Sequence, residues 1–73
     1  MITDKTIARE LSDMALDMAA KLDASVARVQ EACSEKELHA YRRAVGVIMD
    51  ELLVQIMGPI YKIHPALRPK ELK

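Results

Sequence analysis

The sequence predicts an all-α fold: an antiparallel two-helix hairpin with a Pro-rich C-terminal tail, dimerising into a four-helix bundle. Three observations carry this expectation. Apolar residues recur at helical spacing along two stretches, a capping signature separates the stretches, and all three prolines lie beyond residue 57. Residues 1–73 then make a single domain, with helices over about 5–32 and 35–57 and an irregular tail over 58–73.

In the first helix, Ile7, Leu11, Met14, Met18, Leu22, Val26, Val29 and Cys33 follow one another at steps of three or four. That spacing, close to the 3.6-residue turn, lays them along one stripe. Glu10, Asp13, Asp17, Lys21, Ser25 and Arg28 occupy the opposite face. No Gly or Pro interrupts the segment, and five alanines between Ala15 and Ala27 favour helix locally. Thr3 or Thr6 is expected to cap its start, with Asp4 complementing the helix dipole. Cys33 is expected to be a small buried side chain at the helix end, because a reactive thiol would need basic neighbours that Ala32, Ser34 and Glu35 do not supply.

The turn is placed at Cys33-Ser34. Ser34 and Glu37 have the spacing of a capping box, in which each side chain accepts from the other residue's backbone N–H. Cys33 and Leu38 fall at the flanking staple positions. The rival is one uninterrupted helix of about 50 residues, whose stripes other chains would have to bury.

In the second helix, Leu38, Tyr41, Val45, Met49, Leu52 and Ile56 share one side and are expected to meet Leu11, Met14, Met18, Leu22 and Val29 as the hairpin core. Gly58-Pro59 is expected to end this helix, with Gly58 in a left-handed terminating position and Pro59 unable to continue the ladder. One seam leaves apolar residues over. Val47 and Val54 lie on the far side, and Leu53 and Met57 lie on a flank with Gly46. Two helices bury too little to stand comfortably alone at this length. Gly46, Val47, Leu53, Val54 and Met57 are therefore the expected interface of a two-fold dimer. Gly46 in mid-helix is read either as a close-approach point or as a tolerated neutral residue.

Each Pro of the tail disfavours the α region for the residue before it, which predicts extended segments and single turns. Ile60, Tyr61, Ile63 and Leu67 are too apolar for a free tail and are expected to fold back over the open end of the hairpin. Lys70-Glu71-Leu72-Lys73 is expected to fray.

Composition restricts the chemistry. Eleven bases balance eleven acids, and the single Cys excludes an intrachain disulfide. Residues 1–33, 34–57 and 58–73 carry −2, −1 and +3, so the basic excess sits in the tail at Lys62, Arg68, Lys70 and Lys73, near His64. A neutral chain with one adjacent basic pair, Arg42-Arg43, and few aromatic platforms is not expected to bind nucleic acid. The tail more simply complements the acidic first helix.

Glu10, Asp13 and Asp17 share a face but have local partners in Arg9 and Lys21, so a solvated acidic surface is expected rather than a cation site. His39 lacks the Glu-x-x-His spacing of di-iron bundles. His64, before Pro65, is expected to cap a carbonyl or face solvent. Asp50-Glu51, amid apolar residues, is read as an interface ion pair with the Arg43 side, or as solvent-exposed. No Gly-rich phosphate loop and no nucleophile elbow is present. No catalytic, metal or cofactor site is expected, and no enzyme. The methionines are read as core filler, or as a groove lining that takes a partner's amphipathic helix.

No cationic stretch followed by an apolar block opens the chain, and the longest apolar run, Ala44 to Met49, is far short of the roughly 20 residues of a bilayer span. The lone thiol points to the cytoplasm.

From Tyr41 to Leu72 the chain carries Tyr-Arg-Arg-Ala-Val-Gly, then Gly-Pro-Ile-Tyr-Lys-Ile-His-Pro and Leu-Arg-Pro-Lys-Glu-Leu. This stretch resembles small uncharacterised proteobacterial proteins in which a Pro-Ile-Tyr-x-x-His-Pro-x-Leu-x-Pro segment follows an apolar helix. The resemblance implies a bacterial cytoplasmic protein and carries over no functional residue. The expected role is a non-catalytic interaction module that self-associates through apolar helix faces. The alternatives are a nucleic-acid-associated regulator using the basic tail and an adaptor for a partner helix.

Overall fold

A computed structural model describes residues 1–69. They form α1 (Lys5–Ala32), α2 (Glu35–Leu52), a π-helical turn (Leu53–Met57), α3 (Gly58–Ile63) and a 3-10 turn (Pro65–Leu67). The expected fraying of Lys70-Glu71-Leu72-Lys73 lies outside the described residues.

α1 begins at Asp4 rather than at Thr3 or Thr6: Ile7 N–H donates to Asp4 Oδ1 at 3.0 Å. An Asp cap is at least as good as Thr and adds a negative charge at the positive end of the helix. The turn is where the sequence places it. Ser34 Oγ accepts from Glu37 N–H at 3.2 Å, and Glu37 Oε1 accepts from Ser34 N–H at 3.1 Å, which closes the capping box. Cys33, expected to be buried, is exposed instead, because its extended backbone swings it out of the seam just as the chain reverses.

The C-terminal half departs from expectation. α2, the π turn and α3 run on as one helical segment from Glu35 to Ile63, and Gly58-Pro59 does not end it. Gly58 has φ −57° and ψ −52°, ordinary right-handed values. The π turn explains how the proline is accommodated. Pro59 has no N–H, and in a regular helix its ring would strike the carbonyl one turn back. One wider turn, with Gly58 N–H donating to Leu53 five residues earlier, relieves both problems. A Cβ at position 58 would lie 2.9 Å from the Leu53 carbonyl oxygen, so glycine is required here for close backbone approach.

Continuing the helix carries Ile60 and Tyr61 back onto α1. The fold-over of the tail is present, but as a helix rather than as extended chain. Ile60 is the largest fully buried side chain, and it joins Ala8, Ala15, Leu52, Met57 and Tyr61 in the main core at the open end of the hairpin. Leu67 packs against this cluster, while Ile63 stays 41% exposed.

α2 presents the face the sequence predicts. Leu38, Val45 and Leu52 are buried, and Tyr41, Met49 and Ile56 are half-buried. α1 does not. Leu11, Leu22, Val26 and Val29 are half-buried as expected, but Ile7, Met14 and Met18 keep 42%, 44% and 44% of their surface exposed. Ala8, Ser12 and Ala15 are buried in their place. The stripe is rotated because Met57, Ile60 and Tyr61 arrive from the C-terminal side and already fill the volume. Small residues on α1 let the two backbones approach closely enough to exclude water.

Two outcomes follow. The Ser34 hydrogen bonds hold the Glu37 carboxyl below the usual glutamate value of 4.5, the Ser34 backbone N–H having the larger effect. A depressed folded-state pKa adds stability above the unfolded value and loses it as pH falls through the folded one. Melting temperature followed by circular dichroism should therefore fall on acidification below pH 4.5, and in Glu37→Gln the part of that fall due to this group should vanish. Gly58→Ala, which drives a methyl against the Leu53 carbonyl, should destabilise by about 1–3 kcal/mol in urea melts, although alanine is the better helix former.

Candidate interaction surface

Two serine–tyrosine pairs tie the helices together, and the chain has only two tyrosines. Ser12 Oγ and Tyr61 Oη lie 2.6 Å apart inside the core, so neither hydroxyl is left unsatisfied. Ser25 Oγ donates to the Leu22 carbonyl at 2.6 Å, and its one proton is thereby used. The 2.6 Å contact with Tyr41 must then be the tyrosine donating to Ser25. Sequence reasoning put Ser25 on the polar face and did not single out Ser12. The signal available was a small polar residue one helical turn from alanines, set against a partner helix carrying Tyr.

The first and second pairs leave different surroundings. The Ser12–Tyr61 pair is sealed. The Ser25–Tyr41 pair floors an open groove of about 340 Å³ lined also by Met18, Lys21, Leu22 and Ile48. A second depression of about 210 Å³ runs along the other side of the hairpin between Leu16, Ala19, Met49, Leu52 and Leu53, with Asp50 at its edge.

Of the residues expected at an interface, four lie at the surface and one does not. Val47, on α2, is 59% exposed and Val54, in the π turn that follows it, 65%. Leu53 is exposed on the flank, and Ile48, at 51%, adds to the apolar area on the groove side. A Cβ on Gly46 would meet no atom within 4 Å, so nothing in the protomer requires glycine there. Met57, expected at the interface, is instead buried in the chain's own core, since the π turn rotates it inward.

The accessible surface totals 5551 Å². A compact monomer of 8.2 kDa exposes roughly 4,500 Å² by the usual scaling. The excess, of order 1,000 Å², is comparable to what one partner loses in a standard protein interface.

The charged residues form a solvated surface. Asp17 pairs with Lys21 at 2.9 Å and Arg28 with Glu31 at 3.5 Å, both pairs exposed, while Glu10 and Asp13 face water. Among the described residues no three His, Cys, Asp or Glu side chains gather at a metal-binding distance. His64 caps a carbonyl, as one of its two expected roles: its Nε2 donates to the Ile2 carbonyl oxygen at 2.8 Å and ties the N-terminal segment to the end of α3. His39 is exposed.

By length and composition the continuous segment Glu35–Ile63 is sufficient to cross a bilayer, with an 18-residue window of mean hydropathy 1.4. The longest-run argument missed this because it counted uninterrupted apolar residues and ended the helix at Met57. Two features oppose insertion. Asp50 and Glu51 fall inside the segment, and a carboxylate at mid-bilayer costs about 2.5–3.5 kcal/mol even on insertion scales. α1 lies alongside with its charged face outward.

No family model matches the chain, and no curated protein or solved structure matches it either.

The two serine–tyrosine pairs should differ in cost. Tyr61→Phe leaves the buried Ser12 hydroxyl without its partner and should lower unfolding free energy by about 1–2 kcal/mol. Tyr41→Phe should cost less, because Ser25 keeps its bond to Leu22 and water reaches the groove. Paired urea denaturation curves check the order.

Proposed function

We propose that this chain is a small, non-catalytic α-helical interaction module that associates with itself through the outer face of α2. The observation that carries the reading is the exposure of Val47 and Val54 on a helix whose opposite face is already closed against α1. A helix apolar on two sides is normally covered on both. Two hairpins meeting there bring four helices together, and the surplus accessible area is of the size such a contact removes. The mid-segment carboxylates and the charged outer face of α1 favour a protein partner over a lipid one.

The groove over Ser25 and Tyr41 supports a second reading, an adaptor that takes a partner's amphipathic helix between Met18 and Ile48. Thioether and β-branched side chains at its rim suit a ligand of loosely defined shape.

Sedimentation equilibrium at micromolar concentration tests the first reading. The native chain should sediment as a dimer, and its melting temperature should rise with concentration. Leu53→Glu and Val54→Glu should each raise the monomer fraction. Unchanged mass and melting temperature in both would remove α2's outer face as the interface.

A further inference from the structure

The order of charges along the exposed side of α2 specifies how a second copy would dock. Arg43 and Asp50 are seven residues apart, which places them within about 20° of one another on the helix at 100° per residue. Both are exposed, and neither forms an ion pair with any described residue. Gly46 and Val47 lie midway between them: three positions separate Arg43 from Gly46, and three separate Val47 from Asp50. The segment is thus self-complementary about its own centre, basic before it and acidic after it.

We propose that two copies of this chain pack α2 against α2 antiparallel, with the two-fold axis between Gly46 and Val47 and Arg43 of each protomer paired with Asp50 of the other. The proposal rests on the self-association argued above and adds its orientation and register. Three points about this face agree with it. The axis falls on the one place where the helix has no side chain, so the backbones can come together with Val47 filling the space beside Gly46. Gly46 costs a mid-helix position roughly 0.5–1 kcal/mol, and the protomer contains no contact that accounts for it. A parallel arrangement would instead face Arg43 with Arg43 and Asp50 with Asp50, an arrangement that repels at both sites. Charge therefore selects the antiparallel mode, and the apolar side chains supply the area.

Charge reversal followed by sedimentation equilibrium tests the register on substitutions that leave the protomer core untouched. Each dimer holds two Arg43–Asp50 pairs, so Arg43→Asp and Asp50→Arg should each raise the dimer dissociation constant about tenfold or more. The double variant Arg43→Asp/Asp50→Arg should return to within about threefold of the native value, and an equimolar mixture of the two single variants should dimerise as well as the native chain.

Orientation is read by oxidation in a Cys33→Ser background. Val47→Cys, beside the axis, should form a disulfide between copies. Lys36→Cys should not, because the antiparallel arrangement holds the two sulfurs about 30 Å apart at 1.5 Å per residue. A native dimer whose affinity ignores both reversals, or cross-linking at Lys36→Cys equal to that at Val47→Cys, overturns this geometry while leaving self-association standing. A native chain that stays monomeric at millimolar concentration overturns both.

Discussion

The close approach of α1 to the C-terminal helical run is the contact on which the rest of the molecule depends. Ala8, Ser12 and Ala15 present little more than methyl and hydroxyl groups, and against them lie Leu52, Met57, Ile60 and Tyr61. Small against large lets a short chain without Trp or Phe close a seam in which Ala8, Ala15 and Ile60 are fully buried. The Ser12–Tyr61 hydrogen bond lets two polar groups enter that seam without a desolvation penalty. The π turn serves the same contact, since only a helix continuing past Pro59 brings Ile60 and Tyr61 to α1. His64, bonded to the Ile2 carbonyl, then closes the end of the core by joining the two termini of the described chain.

That concentration of packing at one end has a consequence for the surface. Because the core takes small residues from α1, Ile7, Met14 and Met18 are turned outward, and because α2 has a single seam, Val47 and Val54 are left on its back. A two-helix protomer cannot avoid this, since each helix offers only one stripe to its neighbour. Some of the apolar residues left over stand alone and need no explanation, but two sets adjoin one another: Met18 and Ile48 at the groove above Ser25 and Tyr41, and Val47 and Val54 on the outer side of the C-terminal helical run. The outer face also carries a glycine without internal purpose, with Arg43 three residues before it and Asp50 four after it, neither in an ion pair with a described residue. These features of one face are what the proposed self-association rests on.

Much of the fold was legible because it rests on local signals. The capping box at Ser34 and Glu37 is a four-residue pattern with a fixed hydrogen-bond geometry, and it marked the reversal without Gly or Pro. The seam of α2 followed from periodicity, since its large residues are also its buried ones. α1 misled the same method. Periodicity follows the largest apolar side chains, and in α1 the buried positions are held by alanine and serine while Met14 and Met18 stand beside them. The end of α2 misled for another reason. Gly-Pro is a strong local stop, and it was overruled by the free energy of burying Ile60 and Tyr61, a gain that exists only when α1 is already in place.

Local sequence signals are thus enough to make the protein helical, to place its turn, to choose the inward side of α2, and to leave two helices with more apolar surface than one seam can hide. Those properties depend on residues within one or two turns of each other. Four features emerge only in the folded chain: helix continues through Gly58-Pro59 by way of a π turn, α1 buries its small stripe, Met57 belongs to the core, and Cys33 belongs to the surface. The first three are competitions between a local preference and a contact with side chains more than forty residues away, whereas Cys33 is turned outward by its own extended backbone at the reversal.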